Sequence, residues 1–339
     1  MEKDVLNTHF ATRTSHAATE RFLDDTLLKG LAHVEEILIE SCHHDQELIK
    51  QTLSHALLGG GKRLRARFIL VSWLIFNENL NRDIVDVAAA AELFHTATLL
   101  HDDVLDDADL RRGHVTINSK WGNRHAVLLG DFLLSRSFKL LHKVGSLRIM
   151  ATFVEAAQDL GEGALTEQIH RDNLNLSEDL YFYIITRKTA SFFRACAQAG
   201  AVLANTSENH INLLREFGLN YGIAFQITDD LMDVISDEST MGKPRGKDIL
   251  EGHLTLPLIK YFEKDTKNIP GIKLSELKPS DDEFKKLMDG LIHDGSISYS
   301  YEQAEDYQRK ALAALENLPS NDANNYFRMI TSELIKRKS

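Results

Sequence analysis

Ile84-Val-Asp-Val-Ala-Ala-Ala-Ala-Glu-Leu-Phe-His-Thr-Ala-Thr-Leu-Leu-His-Asp-Asp-Val-Leu-Asp-Asp107 is the stretch on which the fold turns. Only Asp86 and Glu92 carry charge before Asp102, there is no proline or glycine, and Ala88 to Ala91 are four consecutive strong helix formers. The run is too long for a strand and almost unbroken in its apolar character, so it predicts a helix over 84–107 buried on most sides. The helix ends in a row of carboxylates, an expensive thing to set beside a core without a use for it.

Outward from this stretch the same signal repeats. Average usage would give roughly 17 prolines in a chain of this length; there are 5, at Pro244, Pro257, Pro270, Pro279 and Pro319, all in the last third. A long run without the residue that breaks helices predicts an all-α fold. Apolar residues at helical spacing predict one helix around Leu27 to Leu38 and others over Leu64–Phe76, Ala126–Lys143, Arg148–Asn173, Ser177–Asn205 and Glu208–Ile235. Leu254–Phe262, Asp281–Asp294, Tyr299–Leu318 and Asn321–Arg337 complete the set. No Gly/Ser/Pro-rich linker divides the chain, and the polar stretch Glu263–Ser280 is too short to mark a boundary, so a single domain over 1–339 is expected.

Charge and composition exclude several classes of function. With 39 Lys and Arg against 50 Asp and Glu, the net charge of −11 repels phosphate backbones and anionic lipid surfaces. Nucleic acid is not an expected partner. No apolar run reaches the roughly 18 residues that span a bilayer, and Met1 to Arg21 is polar, so stable membrane insertion is not expected and a cytoplasmic location is. Cys42 and Cys196 have neither metal-ligand nor redox spacing and read as packing residues.

Two clusters carry the chemistry. Asp102-Asp103-Val-Leu-Asp106 and Asp229-Asp230-Leu-Met-Asp233 are both DDxxD, and on a helix the first and last carboxylates of each lie four apart on one face. Both follow apolar helix, at Ala97–Leu100 and Tyr221–Phe225, which sets the carboxylates at the rim of a buried region. Oxygen ligands without Cys and with little His suit Mg²⁺ bridging to a phosphate or diphosphate. Cations to meet that anion are present: Gly59-Gly-Gly-Lys62-Arg63-Leu-Arg65 at a helix start, Arg111-Arg112, Lys188-Thr189, and Lys243 and Lys247 beyond the second cluster. The glycine spacing is not that of a nucleotide P-loop.

In this order, Gly60-Gly-Lys-Arg-Leu-Arg65, His95 through Asp106, Leu110-Arg-Arg-Gly113, Lys188-Thr-Ala190, and Phe225-Gln-Ile-Thr-Asp-Asp230 through Lys243 resemble the trans-isoprenyl diphosphate synthase family, in particular its bacterial polyprenyl branch. The resemblance spans roughly residues 59–260. It implies an antiparallel helix bundle around a central cavity, usually dimeric, with a heteromer containing a non-catalytic subunit as the other option. It implies that an allylic diphosphate is elongated with isopentenyl diphosphate. Lys62, Arg65, His95 and Arg112 would bind isopentenyl diphosphate; Asp102, Asp103, Asp106 and Asp229, with Asp230 and Asp233, would hold two or three Mg²⁺. Arg111, Lys188, Thr189, Gln226 and Lys243 would meet the allylic diphosphate or the reacting centre, so Asp102, Asp103, Asp106, Lys188, Asp229 and Lys243 form the implied catalytic set. Two positions depart from the family: Ala66 where Pro is usual, and His253 where a second Lys is usual, which replaces a permanent cation with a group mostly neutral at pH 7.

Product length follows from the same resemblance. Ala97 and Thr98, one turn before Asp102, are small where short-chain members tend to place aromatic rings, and Phe138 in the next apolar helix is a candidate floor. A product from hexaprenyl to decaprenyl is expected, with geranylgeranyl or farnesyl as the alternative. Two rivals come from other classes: an all-α metal phosphohydrolase using the His101-Asp102 doublet, and a non-catalytic helical partner subunit.

Overall fold

The computed structural model describes residues 19–111, 113–235, 246–264, 273–278 and 280–336, with side chains from residue 25 onward. Arg112 and Lys243 lie outside the described residues. Helices α1 (Thr19–Glu40), α2 (Glu47–Leu57), α3 (Leu64–Leu74), α4 (Arg82–Leu105), α5 (Ile117–Trp121), α6 (Asn123–Val144), α7 (Leu147–Ile169), α8 (Glu178–Ile185), α9 (Ser191–Leu203) and α10 (Glu208–Ile235) make most of the bundle. They are followed by α11 (Lys247–Leu250), α12 (Leu256–Lys264), α13 (Asp282–His293), α14 (Ser296–Ala314) and α15 (Asp322–Glu333).

The expected burial of α4 is observed: Ile84, Val87, Ala88 to Ala91 and Leu93 have no exposed surface. The alanines are small enough for α1, α3, α6 and α9 all to pack on this helix. Asn81 caps its start by accepting from the Ile84 amide at 3.0 Å, and Asp106 ends it. α10 runs through two apolar clusters: Phe217 and Tyr221 belong to one, with Phe68 and Phe193, and Ile227 and Leu231 to the other, with Leu256 and Leu287.

Three local features go beyond the sequence expectations. α2 and the short α5 are additional helices, and a two-stranded hairpin, β1 (Leu110–Arg111) with β2 (His114–Val115), turns at Gly113 with φ 79°. The helix expected over 177–205 is instead interrupted by a π turn at Thr186–Ala190. Two helices approach this turn closely from either side. A Cβ on Gly163 of α7 would lie 2.5 Å from the Lys188 amide nitrogen, and one on Gly222 of α10 would lie 2.5 Å from Ala190 Cα. Among the described residues no helix is long and apolar enough to cross a membrane.

Candidate active site

Each acidic cluster contributes one aspartate to a cavity of about 160 Å³ between α4, α7, α8, α10 and α11, while Asp102, Asp103, Asp229 and Asp233 do not line it. Asp106 and Asp230 line it together with Lys188, Thr189 and Gln226, and so do Glu167, Lys247, Glu251 and His253. The π turn aims Lys188 and Thr189 into this space. Lys188 Nζ ion-pairs Glu167 on α7, and Thr189 Oγ1 donates to Gln226 Oε1 at 2.7 Å. Burial lowers the Lys188 ammonium's proton affinity, but Glu167 and Asp102 outweigh it and hold the group charged well above the ordinary lysine range.

The carboxylates are arranged unequally. Asp103 is buried and accepts from Arg111 Nε at 2.7 Å, so the hairpin docks its arginine on the first cluster. Burial pushes the Asp102 carboxyl up against the pull of Lys188, while nearby His253 and the charge of Lys188 overcome burial at Asp106 and hold it low. In the second cluster Asp229 is exposed and Asp230 buried. Tyr181 Oη and Gln226 Nε2 donate to the two oxygens of Asp230 at 2.6 and 2.7 Å, yet burial still pushes it up to about 7. Asp233, pushed up to about 6 by burial, accepts the backbone amides of Lys247 and Asp248 at 3.1 Å each and thereby fixes the start of α11. Raised carboxylic acids crowded at one mouth describe a site short of positive charge.

That deficit fits a hard divalent cation. The donors of both clusters are carboxylate oxygens, and Glu251 and His253 add two donor atoms that lie with one of Asp106 within 4.8 Å of one another. His253 leans on Asp106 with Nε2 to Oδ1 at 3.7 Å, and although burial opposes its protonation, Asp106 and Glu167 raise its pKa overall. Its neighbours therefore favour the charged form at 253, in the direction of the lysine the histidine replaces. Glu167, Lys247 and Glu251 were not assigned from sequence. Lys247 follows the second cluster but only the fold turns it into the cavity, and Glu167 has no local motif at all.

The other expected anion ligands lie on an adjoining wall. Arg65 stacks over Phe193 with Cζ 4.4 Å from the ring centroid, His95 sits 6.5 Å from the Phe192 ring, and Lys62 is exposed in the glycine-rich loop. Phe193 in turn packs 5.3 Å from Phe225, the residue before the cavity-lining Gln226. None of the three lines the acidic cavity. His101 points elsewhere: its Nε2 faces Val127 O at 3.2 Å and Asp131 at 3.4 Å on α6. The doublet with Asp102 therefore does not converge, which removes the geometry a His-Asp phosphohydrolase needs. Ala97 is 1% exposed and Thr98 half-buried, with its hydroxyl donating to His95 O at 2.8 Å. Phe138 stands edge-on to Phe94, 6.2 Å between centroids, one turn further from Asp102 than Thr98.

Comparison with known proteins agrees with this constellation. Residues 46–289 match the family model described as polyprenyl synthetase. The chain is 36% identical over 318 residues to heptaprenyl diphosphate synthase component 2 of Geobacillus stearothermophilus, covering 93% of this chain and 97% of that one. It is 32% identical over 299 residues to octaprenyl diphosphate synthase of Escherichia coli (strain K12), covering 88% and 92%. The structure superposes on polyprenyl synthase from Caulobacter crescentus CB15, complexed with calcium and isoprenyl diphosphate, with a TM-score of 0.87 at 32% identity over 96% of this chain and 100% of that one. Paired carboxylate clusters on α4 and α10, a half-buried lysine between them and a match across most of the length lead to one conclusion: the chain belongs to the polyprenyl synthetase family.

Proposed function

We propose that this protein elongates an allylic diphosphate with isopentenyl diphosphate to a trans-polyprenyl diphosphate of hexaprenyl to decaprenyl length. As a member of its family the chain is a prenyltransferase. The observation that carries the reading is the convergence of Asp106, Asp230 and Lys188 on one cavity, where burial leaves Asp230 short of positive charge. Two or three Mg²⁺, held by Asp102, Asp103, Asp106 and Asp229 with Asp230 behind, would supply Lewis acidity to the departing diphosphate.

The chain's own part is positioning, charge and exclusion of water. Lys188, fixed by Glu167, meets the oxygens that gain charge as the allylic C–O bond breaks, and Arg111, Thr189, Gln226 and Lys243 attend the same group. Lys62, Arg65, His95 and Arg112 hold isopentenyl diphosphate so that its alkene attacks the allylic cation; the proton then lost passes to the departed diphosphate, and no nucleophilic side chain is needed. Phe94, Phe192, Phe193 and Phe225 furnish an apolar interior that keeps water from the cation. Anionic, water-soluble substrates support a cytoplasmic location.

Ala97 and Thr98 leave room beside α4, with Phe138 and Phe94 further down as the floor. Exposed Val127 and Leu128 on α6 and Leu147, Val154, Leu165 and Ile169 on α7 support association into a homodimer. Similarity to a protein named as a component 2 supports a second reading, a heteromer with a non-catalytic subunit.

The test is incorporation of radiolabelled isopentenyl diphosphate with and without Mg²⁺, with product length read by chromatography. Asp102→Ala and Asp229→Ala should each lower turnover by about 10²-fold or more with the helical circular dichroism spectrum retained. Full turnover in either folded variant overturns the assignment.

A further inference from the structure

A buried carboxylate outside the metal mouth joins the elements that carry the isopentenyl diphosphate residues. Glu92 is 3% exposed and lies on α4 one turn before His95. Its Oε1 accepts the Ala66 amide at 2.9 Å in the first turn of α3, and its Oε2 lies 3.9 Å from Arg63 Nη1. Arg63 directly follows Lys62 and stands at the N-cap of α3, in left-handed backbone with φ 46° and no side-chain cap of its own. A non-glycine residue keeps that conformation only where its surroundings hold it. Here Glu35 of α1 accepts from Arg63 Nε at 2.5 Å and Nη2 at 3.1 Å, and Leu57 O at the end of α2 accepts from Nη2 at 2.8 Å.

Four helices are thus fastened at one point. Glu92 replaces the missing cap of α3 from a neighbouring helix and gives the Arg63 guanidinium an inner partner opposite Glu35. Lys62 precedes this clamp, Arg65 follows it within one turn, and His95 rises from the same helix as Glu92. We propose that Glu92 is a positioning residue for isopentenyl diphosphate, setting Lys62 and Arg65 against His95 through the Ala66 amide and Arg63. The inference rests on the prenyl-elongation reading above.

Glu92, Arg63 and Glu35 do not line the acidic cavity, so their effect should be selective for one substrate. Glu92→Ala is expected to raise KM for isopentenyl diphosphate by about 10-fold or more, leaving KM for the allylic diphosphate within about twofold. Glu92→Gln keeps an oxygen facing the Ala66 amide and should restore most of the loss, while the confinement of the loss to one substrate's KM is what a role in bulk stability alone would not predict. Both KM values rising together, a fall in kcat alone, or Glu92→Gln as impaired as Glu92→Ala overturns the proposal. Should Glu92→Ala not fold, Glu35→Gln loosens Arg63 from its half-exposed side, and it should raise KM for isopentenyl diphosphate alone by about threefold; an unchanged KM overturns the proposal. Absence of condensation by the unaltered protein would instead overturn the elongation reading, and this inference with it.

Discussion

Gly163→Ala tests how the π turn delivers Lys188, because the perturbation is one methyl group whose collision is known. The new Cβ would lie 2.5 Å from the Lys188 amide nitrogen and 3.0 Å from its Cα, both backbone atoms that cannot swing aside. Ordinary contact needs about 3.5 Å or more, so the π turn or α7 must move by about 1 Å. Overpacking of this kind costs about 1–3 kcal/mol. Alanine recovers about 1 kcal/mol of helix propensity at the same position, so the net destabilisation is about 0–2 kcal/mol and the melting temperature should fall by a few degrees at most. Activity should fall far more, since a displacement near 1 Å of a charge-stabilising group can cost about 10²-fold. Gly161→Ala is the control two residues away: nothing lies within 4 Å of its Cβ, so it should be neutral or slightly stabilising with full activity. Differential scanning fluorimetry and steady-state turnover of both variants decide the matter. Full turnover in Gly163→Ala, or equal losses in the two variants, would refute the argument that this approach positions Lys188.

Metal binding should be linked to pH with a definite sign. Asp230 and Asp233 are pushed up to about 7 and about 6 from a carboxylate's usual 3.8, so the metal-free protein loses stability as pH rises from about 4 through 7 and they ionise unpaired. Mg²⁺ should therefore raise the melting temperature more at pH 8 than at pH 5.5, and a pH-independent increment would contradict it. His253→Lys should lower KM for the allylic diphosphate, by more at pH 8.5 than at pH 6.5, because Asp106 and Glu167 raise the histidine's pKa and leave it charged mainly at the lower pH. An equal effect at both values would show that charge at 253 is not what matters. Ala97→Phe should shorten the product without abolishing the first condensation, and Phe138→Ala should lengthen it, as thin-layer chromatography of the dephosphorylated products would reveal.

What could be read from the chain was whatever a single helix determines. The buried run of α4, the carboxylates at its end and the limits of α10 depend on residue type and period alone, so Ala88 to Ala91 and Glu208–Ile235 stand where the pattern puts them. The π turn packs against Gly163 and Gly222, which belong to two other helices, and no local pattern at 177–205 announces it. Partnerships across long separations were equally hidden: Glu167 with Lys188, Glu92 with Arg63, and the backbone amides of α11 with Asp233.

The His101-Asp102 doublet shows why adjacency in sequence misleads on a helix. Successive residues are rotated by about 100°, so two neighbours cannot both face one metal unless it lies between their directions. Here α6 packs on the side that His101 faces, and Val127 and Asp131 engage its ring there. Asp102 and Asp106, four apart, share a face instead, and both act on Lys188. A phosphohydrolase built on the doublet would need α6 withdrawn from α4, against the buried Ala126, Leu129, Leu133 and Leu141 along that seam. Rotation about one helix axis thus separates two chemistries that the letters alone leave side by side.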